Sequence, residues 1–366
     1  MNSNQNPSRT SNRKKPSPPR YGEVPTISKS NKTPTIVEFA EAIGVSATTV
    51  SRAITQRGRI SNETRQMVLQ RMEELNYTPN LHAQRLIWGR TSTVALCIGS
   101  LMAPATDPFL AGLIRGLQQA LQANDYALLL LGRGDGIKRW VDSRAVDGVI
   151  VMGGSEEDAS VARSIVRPQV PCVVIGTTAL EVEPHMGSVF IDLASSGVKV
   201  ARALFKSGHR RIGFIGSNYS QGILPFFRGE LEHLGVPLCP EYTVIAGDTP
   251  EAGERAMYQL LSLPTAPTAV FARNDELAIG AVRAARKQGV QVPKQISIIG
   301  HDDLAFARFI DPPLSTVRID CDAVGKAVVN MLFDLLAHPD TPFVPRSVAT
   351  ELVMRETIAP PEFSSS

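Results

Sequence analysis

At 366 residues the chain is too long for one small core, and at ~100–200 residues per domain it implies two or three folded units. Hydrophobic residues make up 43% of it and charged residues 20%, an ordinary globular composition that excludes fibrous and wholly disordered classes. The net charge of +3 does not by itself argue for nucleic acid; no apolar run approaches the ~20 residues of a membrane helix and residues 1–20 lack a signal-peptide centre, so a cytoplasmic location without a membrane partner is expected.

Residues 1–33 are rich in Asn, Ser and Pro, and the basic residues Arg9, Arg13, Lys14, Lys15, Arg20, Lys29 and Lys32 face one acid, Glu23. Such a segment buries too little apolar surface to fold alone, so a disordered basic tail is expected, either adding attraction to phosphates or simply solvated.

The pattern changes at Thr35. Thr35 and Glu38 have capping-box spacing, and Ile36, Phe39, Ala40 and Ile43 form the apolar stripe of a short helix that Gly44 can end. Ser46 can cap a second helix in which Val50 and Ile54 face inward and Ala47, Thr48, Ser51 and Arg52 face outward. A third helix is expected over 62–76, capped by Ser61, with Val68, Met72 and Leu75 on one side. Helix, tight turn and helix make a helix-turn-helix over 34–78. Small, hydroxylated and guanidinium side chains on the outward face suit a major groove, whereas a solvated face more often carries Lys and Glu pairs.

Residues 79–91 have helical potential without a strong partner face and read as a linker. From there to about 358, strand-like runs (94–98, 126–131, 149–152, 172–175, 211–215, 269–272, 296–299) alternate with helical patterns (109–123, 194–207, 253–261, 275–288). That is the signature of βαβ units, with enough strands for two parallel sheets. Residues 359–366 read as a flexible C-terminus.

Enzyme motifs are weak. Gly132-Arg133-Gly134-Asp135-Gly136 has neither dinucleotide nor Walker spacing and reads as a surface turn, and no nucleophile elbow or zinc helix occurs. Cys97, Cys172, Cys239 and Cys321 lie far apart and read as buried thiols, so no metal, cofactor or disulfide is expected. His301-Asp302-Asp303, at a strand end, could serve acid–base chemistry or a metal, or could hydrogen-bond a neutral polyol.

Together these segments resemble a known family. Thr35 to Ala40, Gly44-Val45-Ser46, Thr49-Val50-Ser51-Arg52, Ser61 to Arg65 and Leu75 to Asn80 are similar to the DNA-binding headpiece of the lactose-repressor and galactose-repressor family. Asp107-Pro108-Phe109, Val146-Asp147-Gly148, Gly208 to Ile212, Asn274-Asp275, Gly300 to Asp303 and Pro312 to Val317 resemble the same family's effector-binding core. The resemblance implies a non-enzymatic, sequence-specific transcription regulator, in the main a repressor. It also implies an α/β core of two periplasmic-binding-protein-like subdomains over 92–358 and a homodimer on pseudo-palindromic operator DNA. Carried over by position, Ala47, Thr48 and Arg52 match base readers, and Thr35, Ser46, Thr49, Ser51, Arg59, Ser61 and Asn80 lie near phosphates or groove edges. Leu86 matches the hinge leucine that wedges into the minor groove. Asp107, Phe109, Asp192, Arg228, Phe271, Asn274 and Asp302 match cleft positions that bind a small-molecule effector, a sugar or sugar acid.

The chain departs from the family pattern in three places. The stretch between Leu131 and Val146 is short, Arg273 replaces a smaller residue, and His301 replaces the more usual aromatic. Arg273 either points into the cleft, which would favour an acidic effector, or pairs with Asp275 or Glu276. The segment from His338 onward lacks leucine heptads, against a coiled-coil tetramer. Two other classes compete. A sugar-binding receptor would need export, and a dinucleotide enzyme would need a phosphate-binding glycine pattern.

Overall fold

A computed structural model describes residues 34–55, 58–78, 90–98, 107–132, 136–153, 156–181 and 183–362. The expectations for the 1–33 tail and for Asn80 and Leu86 lie outside the described residues. The chain divides into two units, Met1–Arg90 and Thr91–Ser366.

In the first unit, α1 (Ile36–Ala42), α2 (Ala47–Thr55) and α3 (Asn62–Glu74) bury a core of Phe39, Ala40, Val50, Ala53, Val68 and Tyr77. The Phe39 and Tyr77 rings stack at 4.1 Å, joining the first helix to the residues after the third. The third helix stops two residues early, because Leu75 caps it and Asn76 turns left-handed at φ 47°.

The second unit holds two parallel sheets. The larger is built from β1 (Thr93–Ile98), β2 (Ala127–Gly132), β3 (Gly148–Met152), β4 (Cys172–Gly176), β5 (Met186–Ile191) and β11 (Arg346–Val348) in the order β11-β5-β4-β3-β1-β2. The smaller contains β6 (Ile212–Gly216), β7 (Thr243–Ile245), β8 (Ala269–Ala272) and β9 (Ser297–Ile299) in the order β7-β6-β8-β9. A short antiparallel ribbon pairs β10 (Thr316–Arg318) with β12 (Glu351–Val353). Strands such as β4 and β6 are buried at every position, as expected when helices cover both faces of a parallel sheet.

Eight helices are described in this unit: α4 (Pro108–Gln122), α5 (Gly136–Asp142), α6 (Glu156–Ile165), α7 (Leu193–Lys206), α8 (Leu224–His233), α9 (Pro250–Leu261), α10 (Asp275–Lys287) and α11 (Cys321–Ala337). Two helix pairs pack backbone to backbone: α9 against α10, where a Cβ on Gly253 would stand 2.2 Å from the Leu277 carbonyl oxygen, and α4 against α11, where one on Gly116 would stand 2.3 Å from the Cys321 carbonyl oxygen. The chain changes subdomain after β5, after β10 and after β11. Two of these crossings are stitched together: Asp192 N donates to the Val348 carbonyl at 3.0 Å, and Ser196 Oγ lies 2.7 Å from Thr350 Oγ1.

Three segments bear on the expected boundaries. The short stretch between Leu131 and Val146, where a truncated helix is expected, carries α5, only seven residues long and anchored by buried Ile137 and Val141. Gly132 and Gly136 thus end a strand and begin a helix, and the intervening residues lie outside the described set. The C-terminus does not loosen at residue 359, since Ala359 exchanges two hydrogen bonds with Ser297 Oγ, at 3.0 and 3.1 Å. Thr91 falls in the core unit rather than with the linker.

Candidate nucleic-acid interface and ligand cleft

The first unit presents a small polar face built by helix caps. Thr35 and Glu38 form the expected box: Thr35 N donates to Glu38 Oε2 at 2.7 Å and Glu38 N to Thr35 Oγ1 at 3.3 Å. Gly44, at φ 74°, makes the turn. Ser46 Oγ then accepts from Thr49 N at 3.1 Å and shares a hydrogen bond with Thr49 Oγ1 at 2.9 Å, so both hydroxyls are partly committed to starting α2. Ser61 Oγ does the same for Thr64 N at 3.1 Å.

With its first turn fixed, α2 buries Val50 and Ala53 and leaves Thr48 and Arg52 exposed. Ser51 is half-buried and Arg59 exposed. Ala47 departs from expectation: it is half-buried and packs against the three-helix core, so it offers a groove only part of its methyl surface. The remaining face pairs a hydroxyl and a guanidinium one helical turn apart, a donor set that matches base edges and phosphates.

In the second unit Asp192, Asn274 and Asp302 follow the carboxyl ends of β5, β8 and β9, the edge at which α/β sheets bind ligands. Three of the predicted ligand residues are helix N-caps. Asp107 Oδ1 accepts from Leu110 N at 3.1 Å, Asp192 Oδ1 from Ser195 N at 3.0 Å and Asn274 Oδ1 from Leu277 N at 2.8 Å. Each cap holds its side chain at a fixed angle while leaving further hydrogen-bonding capacity. Asp302 follows β9 with φ 105°; its amide donates to the Val317 carbonyl at 2.7 Å and its carboxylate accepts from His301 Nδ1 at 2.9 Å. Arg228, on α8, is exposed and has no hydrogen bond or ion pair among the described residues. Phe109 is half-buried at the start of α4.

Acidic groups of both subdomains act on one carboxyl at this edge. Burial raises the pKa of the Glu276 carboxyl, and Asp107, Asp302, Asp248 and Glu251 push it further the same way. Asp107 belongs to the first subdomain and Asp302 to the second, so acidic groups from both converge near Glu276. Below them, burial and then Asp302 raise the Asp275 carboxyl to about 8, although Thr316 Oγ1 and Leu304 N both donate to it.

Two ligand expectations need correction. Phe271 has 0% exposure and packs against Phe214 and Phe227 at ring distances of 5.6 and 5.0 Å, so it supports the core and presents no open face. Arg273 pairs with neither Asp275 nor Glu276; its guanidinium lies 3.4 Å from Asp248 Oδ1. Sequence reasoning also missed Asp248 and Glu276. Glu276 directly follows Asn274 and Asp275 in the first turn of α10, and that position was the available signal.

Comparison with known proteins decides the family. The lacI family of bacterial regulatory proteins matches residues 35–80, and a periplasmic binding protein-like domain matches residues 201–358. A probable HTH-type transcriptional repressor, ExuR of Bacillus subtilis (strain 168), is 33% identical over 331 residues, covering 88% of this chain and 98% of the relative. The chain belongs to the lacI family.

This lacI-family chain is similar along most of its length to other repressors. The ribose operon repressor of Haemophilus influenzae is 31% identical with 88% of this chain and 98% of that protein covered, and CytR of Escherichia coli (strain K12) is 30% identical with 89% and 97% covered. Among solved structures, a complex of the regulator CelR with cellobiose superposes with TM-score 0.64 at 28% identity, over 88% of this chain and 99% of that one. The Lac repressor dimer bound to operator and anti-inducer shares the fold, with TM-score 0.75 at 24% identity over 90% and 100%. A lacI-family chain of this kind is a transcription regulator, and these relatives are not enzymes. Among the described residues no helix is long and apolar enough to cross a membrane, and no group of metal-ligating side chains is assembled.

Proposed function

We propose that this regulator acts in the cytoplasm as a homodimeric repressor, binding a pseudo-palindromic operator and responding to a sugar or sugar acid held between its core subdomains. Thr48 and Arg52 read bases, while Thr35, Ser46, Thr49, Ser51, Arg59 and Ser61 contact phosphates or groove edges. Asn80 likewise lies near phosphates or groove edges, and Leu86 enters the minor groove.

The observation that carries the effector half is the convergence on Glu276 of acidic groups from both subdomains, among capped Asp107 and Asn274 at the strand ends. Fixed carboxylates and an amide suit the hydroxyls of a polyol. Arg228 supplies a fork for two hydroxyls or one carboxylate. Arg273 is paired to Asp248, whereas Arg228 has no partner among the described residues and can receive an acid group. Among relatives, one is a ribose operon repressor and one solved structure holds cellobiose, which supports a sugar as the class.

The test has two arms. A mobility shift on genomic fragments is expected to retain a small set of roughly palindromic sites. Thermal melts in a panel of sugars and sugar acids are expected to single out a stabilising ligand, by about 2.7 kcal/mol at 100 times its dissociation constant. Retention of all fragments alike, or no stabilisation by any panel member, would overturn the respective half.

A further inference from the structure

Asp147 begins the turn into β3 and is 8% exposed. Its carboxylate accepts from Thr91 N at 2.7 Å, Thr91 Oγ1 at 3.0 Å and Ser92 N at 2.8 Å. Among the described residues it has no ion pair, so its charge is held by donors from the two residues at which the chain enters the core. Ser92 is turned to φ 49°, a left-handed conformation that costs a side-chain-bearing residue energy and persists where its surroundings hold it. From the other side, Ala127 N donates to the Ser92 carbonyl at 2.9 Å, while Asp147 N donates to the Thr93 carbonyl at 2.8 Å. Residues 91–93 are therefore gripped between the β2 and β3 neighbours of β1.

This grip sits at a particular place in the chain. Arg90 ends the unit that carries the helix-turn-helix, and Thr91 begins the unit that carries the cleft. The backbone path from the core to the linker runs through Thr91. A junction free to rotate about its own φ and ψ would dissipate a movement of the core, whereas a junction bonded at both consecutive amides and one hydroxyl moves with the sheet.

We infer that Asp147 is a positioning residue for DNA binding: its carboxylate fixes the linker exit to the first sheet, so that headpieces are presented to operator DNA with a defined spacing. The inference rests on the operator-binding reading above. Asp147→Asn is the sharp test. An amide directs an NH2 group at one of the two backbone donors, which breaks a bond that the carboxylate makes.

The experiment uses the full chain, genomic fragments retained by the unaltered protein, and hydrogen exchange. Asp147→Asn is expected to weaken retention by tenfold or more and to speed exchange at the Thr91 and Ser92 amides. Amides within 94–98 and in the helix-turn-helix should stay protected. Thr91→Val, which removes only the hydroxyl donor, should weaken retention two- to fivefold, and Ser92→Gly, which suits the left-handed backbone, should leave it within twofold. Unchanged retention by Asp147→Asn with β1 intact overturns the inference. If Asp147→Asn unfolds β1, Thr91→Val decides, and its retaining DNA fully with β1 protected overturns the inference in the same way. Failure of the unaltered protein to retain any fragment selectively would instead count against operator binding itself.

Discussion

The Arg52 side chain lies across Gly58: a Cβ at Gly58 would stand 3.1 Å from Arg52 Nε and 3.2 Å from its Cδ. Gly58 has φ 84°, so the loop after α2 needs glycine both for its backbone and for the space that Arg52 occupies. Arg52→Ala should cost about 1–3 kcal/mol of specific binding and relax preference at one base position. Gly58→Ala should lower the same affinity without touching a DNA contact, because it strains the loop and displaces the guanidinium stem. Quantitative mobility shifts with a retained site and single-base variants check both; wild-type affinity and preference in Arg52→Ala would remove that residue from the reading set.

Arg228 is exposed and unpartnered among the described residues, so truncating it leaves no buried group unsatisfied. Arg228→Ala is expected to fold with unchanged thermal stability, to bind operator normally and to lose its ligand response. Calorimetry with the sugar identified by thermal melts checks this, and unchanged affinity in the variant would show that Arg228 lies outside the ligand contacts.

Two buried groups give opposite pH dependences. Burial chiefly lowers His209 to about 4, and its ring bonds Thr268 Oγ1 at 3.0 Å and Ser297 Oγ at 3.1 Å while neutral. The unfolded chain takes up a proton there below about 6.5, so this contribution to stability is present above that pH and is lost as pH falls towards 4. Asp275, raised to about 8, stays protonated in the fold while the unfolded carboxyl ionises near 3.8, so its contribution is lost as pH rises from about 4 to 8. The two oppose below about 6.5, and between 6.5 and 8 only the Asp275 decline remains. Urea unfolding across that upper window should show stability falling with pH, and Asp275→Asn should flatten the slope.

The crossing of α4 and α11 depends on two glycines. A Cβ on Gly116 would meet the Cys321 carbonyl oxygen at 2.3 Å, and one on Gly325 would meet the Gly116 carbonyl carbon at 2.4 Å. Gly116→Ala should therefore destabilise the core by about 1–3 kcal/mol through overpacking. Gly229, on α8, has nothing within 4 Å of its hypothetical Cβ, so Gly229→Ala should stabilise by about 0.5–1 kcal/mol through helix propensity. Denaturant unfolding of the pair measures both signs.

Much of this architecture was legible before any coordinates. The caps at Thr35, Ser46 and Ser61, the turn at Gly44 and the inward Val50 depend on neighbours within four residues, and local chemistry specified them. Strands β1 and β4, buried on both faces, announced themselves as continuous apolar runs. By contrast, α11 was overlooked because it buries Val324, Val328, Val329, Met331, Leu332 and Leu335 over a broad face with no narrow stripe to mark it. The strands β10, β11 and β12 are three residues each, too short for any periodicity to register.

The sequence by itself determined that a helix-turn-helix precedes a two-sheet α/β core, because both follow from local spacing and apolar pattern. It also placed Asp302 at a strand end, while Asp107, Asp192 and Asn274 entered only as cleft positions implied by the family resemblance. Only the tertiary structure decided which charges meet. That Arg273 turns to Asp248, that Phe271 disappears among Phe214 and Phe227, and that Asp147 reaches back to Thr91 and Ser92 are long-range facts. They depend on how sheets and crossings bring distant segments within 3 or 4 Å, and no local rule encodes that distance.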